Sequence, residues 1–96
     1  MTQIDACYRK SPSIVSREIA GEMILVPIRQ NVGDLESIYT LNETAARAWE
    51  LIDGQRPALA IRDQIVAEFE VGAEEAEQDL IELLAQLESF GAVERV

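Results

Sequence analysis

The spacing of hydrophobic residues changes part-way along the chain. Between residues 13 and 41, β-branched and other apolar residues fall in short runs, interrupted by a glycine turn at 20–22 and a polar loop at 29–34. Short runs of this kind, bounded by turn residues, are typical of β-strands. They predict three antiparallel strands, over 13–19, 23–28 and 35–41, with the first two forming a hairpin.

Three helical patterns follow these strands. The first is predicted to begin at the N-cap Asn42 and to end at Gly54, although a capping box at 40–43 would start it two residues earlier. The second begins near Pro57 and continues to about Glu70. The third covers about 73–90 and ends at the C-cap glycine 91. Its apolar stripe, together with Trp49 of the first helix, is the predicted core, and the stripe consists of Ala76, Leu80, Leu83, Leu84, Leu87 and Phe90.

The order βββααα predicts the α+β class, with a three-stranded antiparallel β-sheet followed by three α-helices in a winged-helix-like arrangement. The 96 residues suffice for one domain, spanning 1–96, with a single modest core. Residues 1–12 have no clear period and are expected to form a flexible arm. Residues 93–96 are expected to form a short extended tail.

Charge and hydropathy exclude several classes of partner. The chain has 18 acidic and 8 basic residues, and between Asp63 and Glu94 ten residues are acidic and none is lysine or arginine. A nucleic-acid backbone would be repelled by this half of the chain. No signal segment or membrane-length apolar stretch is present, so we expect a cytoplasmic protein that does not contact membranes. The lone Cys7 agrees with a reducing compartment.

The residue types present also argue against catalysis. The sequence has no histidine, which excludes Ser–His–Asp and Cys–His sites and histidine metal sites. Its five glycines are isolated, so no phosphate-binding loop is present. The many carboxylates are best explained as a solvated helix surface. We therefore expect a protein that is not an enzyme and that needs no cofactor.

One residue of the third helix does not follow the core pattern. Ile81 lies about a quarter of a turn from Leu80 and shares its face with Ala85. An isolated exposed isoleucine usually has no function, and the pattern alone favours that interpretation. The alternative is that this face, with Glu74, Glu77 and Glu88 at its rim, forms one wall of a peptide groove.

A longer motif resembles a known family. The segment 41–46, Leu-Asn-Glu-Thr-Ala-Ala, and the segment 49–54, Trp-Glu-Leu-Ile-Asp-Gly, are similar to the PqqD family, named after the pyrroloquinoline-quinone biosynthesis protein D. The resemblance implies a non-catalytic recognition module for ribosomally made, modified peptides. Such a module binds the leader of a precursor peptide as an added β-strand, between the third strand and the third helix. It then presents the peptide to a modifying enzyme, often a radical S-adenosylmethionine protein.

The resemblance also implies where the peptide binds on this chain. An exposed strand edge would supply backbone hydrogen bonds, and the Ile81 face would supply side-chain pockets. The acidic rim would favour a leader with an apolar anchor flanked by lysine or arginine. The expected peptide-binding residues are Leu35, Ser37, Ile38, Tyr39, Thr40, Glu77, Ile81, Leu84, Ala85 and Glu88.

Two other functions remain open at this point. One is a winged-helix DNA-binding regulator, although its third helix would have the wrong charge for DNA. The other is a structural subunit of an enzyme complex. A free strand edge would also permit a homodimer.

Overall fold

The computed structural model describes residues 4–28 and 38–96. Three adjacent antiparallel strands precede three helices, which confirms the predicted α+β class and the order of these six elements. Residues 35–37 of the predicted third strand lie outside the described residues. The elements are β1 (Tyr8–Lys10), β2 (Ile14–Ile19), β3 (Glu22–Pro27), β4 (Tyr39–Leu41), α1 (Glu43–Leu51), α2 (Ala58–Phe69), α3 (Ala73–Phe90) and β5 (Val93–Arg95).

The main sheet has the strand order β2–β3–β4, and both pairings are antiparallel. The predicted hairpin is confirmed: Ala20 and Gly21 connect β2 to β3, and both have positive φ, at 53° and 84°. This is the backbone of a tight hairpin turn whose twist matches that of its strands. Leu25 faces Tyr39 across the β3–β4 pair, on the face of the sheet that packs against the core.

Residues 4–12 differ from the flexible arm that was predicted. β1 pairs with β5 in a second, two-stranded sheet, with Tyr8 opposite Arg95. The Tyr8 side chain is only 1% exposed, and the ammonium group of Lys10 lies 5.2 Å from the centre of the Trp49 ring. The prediction was wrong because a three-residue strand has too few positions to show a period, and its partner lies at the other end of the chain.

α1 begins as predicted but ends earlier. The Oδ1 atom of Asn42 accepts a hydrogen bond from the Ala45 amide at 2.8 Å, so Asn42 is the N-cap and the alternative capping box does not start the helix. The helix ends at Leu51, because Ile52 is extended. Gly54 has φ +81° in the following turn, where its amide donates to the Tyr8 carbonyl at 2.8 Å.

A single core lies between the inner face of the sheet and the three helices. Trp49 is 3% exposed and is a core residue, as predicted. α3 contributes most of its predicted stripe, since Ala76, Leu80, Leu84 and Leu87 are buried while Leu83 and Phe90 are half-buried at its edge. Gly91 ends α3 with φ +86°, as predicted. Within the described ranges, no helix is both long enough and apolar enough to cross a lipid bilayer.

Candidate functional site

A groove of about 440 Å³ separates β4 from α3. Tyr39 and Thr40 form its strand wall, and Asn42, Thr44 and Ala45 continue that wall into the start of α1. The remaining lining residues come from the helical layer opposite: Ala48, Ile65, Val71, Glu75, Ala76, Asp79, Leu80, Glu82, Leu83 and Gln86.

β4 forms one edge of the main sheet. Among the described residues it pairs only with β3, so the backbone groups on its other side face the groove without a strand partner. Thr40 lies on the outer face of the sheet opposite Ile24, whereas Tyr39 points toward the helices. An unpaired strand edge beside a groove can accept an additional strand through main-chain hydrogen bonds.

The floor of the groove is apolar and built from small residues. Ala45 and Ala48 come from α1, Ala76 and Leu80 come from α3, and Ile65 comes from α2. Ala48, Ala76, Leu80 and Ile65 are buried and Ala45 is half-buried, so the floor is part of the hydrophobic core. A floor of this kind suits an inserted aliphatic or aromatic side chain.

Tyr39 joins the two walls. Its hydroxyl donates a hydrogen bond to the side-chain oxygen of Gln86, and its ring lies 5.7 Å from the ring of Phe90 with the planes tilted by 58°. Burial raises the pKa of the Tyr39 hydroxyl, so the group is a hydrogen-bond donor at neutral pH. This contact fixes the spacing between β4 and the last two turns of α3.

The groove is acidic on its α3 side. Glu75, Asp79 and Glu82 line it, and no lysine or arginine is among the described residues that do so. They recur at i, i+4 and i+7, which places them on one line along the helix. The groove therefore combines an apolar floor with a carboxylate wall.

The structure divides the predicted peptide-binding residues into several groups. Tyr39 and Thr40 line the groove, and Ile38, 49% exposed, directly precedes β4. Leu84 is completely buried in the core. Leu35 and Ser37 lie outside the described residues. The other four predicted residues are not among those that line the groove: Glu77, Ile81, Ala85 and Glu88.

The groove and the predicted wall lie on different flanks of α3. With about 100° of turn per residue, Ile81 and Leu83 lie on opposite sides of the Leu80–Leu84–Leu87 stripe. Leu83 faces the groove. On the Ile81 flank, Glu77 accepts a hydrogen bond from Arg62 of α2 at 2.7 Å. The two flanks cannot be told apart from helical spacing alone, because both adjoin the core stripe.

The residues that border the groove on α3 form a pattern that is visible in the sequence. Glu75, Asp79, Glu82 and Gln86 recur at i, i+4, i+7 and i+11, so they form a polar stripe parallel to the core stripe. Leu83 lies between the two stripes, and it was assigned to the core. An apolar residue bordered by a polar stripe is typical of a groove edge as well as of a core edge.

A second concavity, of about 810 Å³, lies at the opposite end of β4. It is larger than the groove, but its wall is largely polar, with four glutamates: Glu18, Glu22, Glu43 and Glu50. Arg47 also lines it and is already bonded to Glu50 and Glu68. With few apolar side chains to anchor a ligand, it is the weaker candidate site.

No group of three or more acidic, cysteine or histidine side chains within residues 4–28 and 38–96 is arranged to hold a metal ion. The Cys7 thiol donates a hydrogen bond to the Gln55 carbonyl, with 3.5 Å between sulfur and oxygen, and neither residue lines the groove.

The family model of coenzyme PQQ synthesis protein D (PqqD) matches residues 22–93. The chain belongs to the PqqD family. The match includes both walls of the groove, β4 and α3, and it confirms the resemblance inferred from the motif at 41–54. No curated protein matches this PqqD-family chain.

Two solved structures are similar to this PqqD-family chain. TbiB1 in complex with the TbiA(beta) leader peptide is 26% identical, with a TM-score of 0.73, and the alignment covers 90% of this chain and 94% of TbiB1. A lasso peptide synthetase B1 complexed with the leader peptide is 24% identical, with a TM-score of 0.75, and the alignment covers 93% of this chain and 99% of that one. At 24% identity, the second likeness shows the fold alone.

Proposed function

We propose that this protein binds the leader segment of a ribosomally synthesised precursor peptide as an added strand on β4. The observation that carries the proposal is the edge of β4 that has no strand partner among the described residues, beside an apolar-floored groove of about 440 Å³. Membership of the PqqD family and the likeness to TbiB1, solved with a leader peptide, support it.

The physical basis is strand addition. Backbone groups of Tyr39–Leu41 would pair with the leader and extend the main sheet from three strands to four. These main-chain hydrogen bonds contribute affinity that does not depend on the leader sequence. Alternate side chains of the leader enter the groove and provide selectivity. The Tyr39–Gln86 hydrogen bond connects the two walls before the leader binds, and such preorganisation lowers the entropic cost of binding.

The bound leader would be handed to a modifying enzyme, such as a radical S-adenosylmethionine protein, and the chain itself would perform no catalysis. A homodimer formed through β4 would occupy the same edge as the leader. Leader binding and self-association through β4 would therefore exclude each other.

Calorimetric titration with a synthetic leader of a precursor peptide tests the proposal, using a matched pair of variants. Leu83→Asp places a charge in the groove, and Ile81→Asp makes the same change on the opposite flank of α3. Both side chains are half-buried in the same helix, and Leu83 also packs against the hydrophobic core, so the unfolding of both variants is measured beside the titration. Leu83→Asp should weaken binding by at least about 30-fold, as expected for a binding hot spot, and Ile81→Asp should leave it within about threefold.

Circular dichroism confirms that both variants are folded. Equal losses, or a larger loss for Ile81→Asp, would place the peptide elsewhere. Absence of leader binding by the unaltered protein would contradict the proposed function. Leader-dependent protection of the Tyr39–Leu41 amides from hydrogen exchange is the second expected result.

A further inference from the structure

Three carboxylates of the groove lack partners in the part of the chain that the structure describes. Glu75, Asp79 and Glu82 make no hydrogen bond or ion pair there. The carboxylates that pair with arginine lie elsewhere: Glu50, Asp53, Asp63, Glu68, Glu77 and Glu94. Glu74 and Glu88 of α3 also have no described partner but do not line the groove, so the carboxylate wall is the unneutralised charge of α3 that faces the groove.

We propose that the leader segment in the groove carries a lysine or arginine two residues from an apolar anchor, on the same face of the added strand. The inference rests on the proposed function and adds the chemistry of the peptide. The anchor would enter the alanine-lined floor beside Ala45 and Ala76, and the cation would reach the carboxylate wall.

Strand and helix geometry sets this spacing. Side chains two residues apart on a strand point the same way and are separated by roughly 6.6 Å. Along α3, Glu75 and Asp79 are separated by a rise of about 6 Å, and Glu75 and Glu82 by about 10.5 Å. If one leader side chain enters the apolar floor, the leader side chain two residues away points in the same direction. It would therefore lie beside the carboxylate wall of α3.

Leu83, between the apolar floor and the carboxylate wall, offers a contact for the side chain of a leader lysine or arginine. Leu83 is half-buried and lies next to Glu82 on the groove. The methylene stem of lysine or arginine can pack on such a leucine while its charged end reaches a carboxylate in water. A leader aspartate or glutamate at the same place would face three like charges, so the groove selects against acidic residues there.

Selection from a phage library of short random peptides tests the inference with the full chain as bait. The unaltered protein should enrich peptides in which lysine or arginine lies two residues from an aliphatic or aromatic residue. The variant Glu75→Gln/Asp79→Asn/Glu82→Gln should still enrich the apolar residue but lose the basic one. A peptide selected on the unaltered protein should bind this triple variant at least about tenfold more weakly.

A charge-matched control separates this local effect from the overall acidity of the protein. Glu18→Gln/Glu74→Gln/Glu88→Gln removes three carboxylates that do not line the groove and should preserve the basic preference. A basic preference that survives in the groove variant, or that the control also abolishes, would overturn the inference. All of these substitutions replace exposed or half-buried carboxylates without described partners, and circular dichroism checks the fold.

The phage selection gives different results if only the basic preference is absent and if peptide binding itself is absent. Enrichment of apolar residues with no basic preference would overturn the inference and leave peptide binding intact. No enrichment at all by the unaltered protein would contradict the proposed function, and the inference with it.

Discussion

The hydroxyl of Tyr39 donates a hydrogen bond to the side-chain oxygen of Gln86, which connects β4 directly to α3 across the candidate groove. The two residues come from elements that are separated in sequence by both α1 and α2. Together with the Tyr39–Phe90 ring contact, this bond determines how far apart the two walls stand at one end of the groove.

Loss of this hydroxyl should weaken the contact between strand and helix. Tyr39→Phe removes the hydrogen bond and keeps the ring, so the free energy of unfolding should fall by about 1 kcal/mol. Tyr39→Ala also removes the Phe90 contact and should cost more. Urea unfolding measures both, with Thr40→Val on the outer face of the sheet as the control. A Tyr39→Phe variant as stable as the unaltered protein would show that the bond contributes nothing to the spacing.

The N-cap of α1 gives a second prediction. Asn42→Ala removes the acceptor for the Ala45 amide and should lower the free energy of unfolding by about 1 kcal/mol. Asn42→Asp keeps an acceptor and places a negative charge near the positive end of the helix dipole, so its stability should match that of the unaltered protein or exceed it. Equal destabilisation by both substitutions would contradict the capping role.

Two neighbouring residues of β1 test whether this strand is part of the core. Tyr8 is buried, and Tyr8→Ala should cost about 3–5 kcal/mol, the range for loss of a large core side chain. Arg9 forms an exposed ion pair with Glu94, and Arg9→Ala should cost less than about 1 kcal/mol. Thermal or urea unfolding distinguishes them. Similar small losses for both would mean that residues 4–12 behave as the flexible arm predicted from the sequence.

The Arg47–Glu68 pair predicts a dependence on pH. Arg47 donates to both oxygens of Glu68, at 2.8 and 2.9 Å, and this holds the pKa of the Glu68 carboxyl below its usual value. A carboxyl whose pKa is lower in the folded state stabilises the fold fully above its unfolded pKa. That contribution is lost as the pH falls through the lowered, folded pKa.

The measurement is the melting temperature of Glu68→Gln relative to the unaltered protein. The variant should melt lower at pH 7, and the difference should shrink as the pH falls through the lowered pKa of Glu68 and vanish once Glu68 is protonated in both the folded and the unfolded state. Glu74→Gln, an exposed residue without a described partner, corrects for removal of one negative charge from an acidic chain. A difference in melting temperature that grows as the pH falls would contradict the stabilising role of the Arg47–Glu68 pair.

Periodic features could be predicted from the sequence. The α3 stripe, the Asn42 cap, the Trp49 anchor and the hairpin at Gly21 each depend on residues close together in the chain, where spacing and capping chemistry act locally. Such local features determine where helices and strands form and which face of each is buried. They also led to the correct family, because the motif at 41–54 is a continuous segment.

Features that depend on distant partners could not be predicted in the same way. β1 becomes a strand only because β5 is beside it. The choice between Ile81 and Leu83 depends on which element lies on each flank of α3, and the helical pattern contains no information about that. Two residues of the predicted strand wall, Tyr39 and Thr40, line the groove, and β4 lies at a sheet edge because it is the last of the three strands in the order β2–β3–β4.

The pairing of β1 with β5 has a consequence for how the chain folds. Tyr8 and Arg95 are opposite each other although nearly the whole sequence separates them, so their contact closes a loop of nearly the full chain length. Closing such a loop loses the most chain entropy and is repaid only when most other contacts exist. β1–β5 docking should therefore be among the last steps of folding. A circular permutant that joins the two strands by a short linker, with new ends in the β2–β3 turn, should fold faster than the original chain.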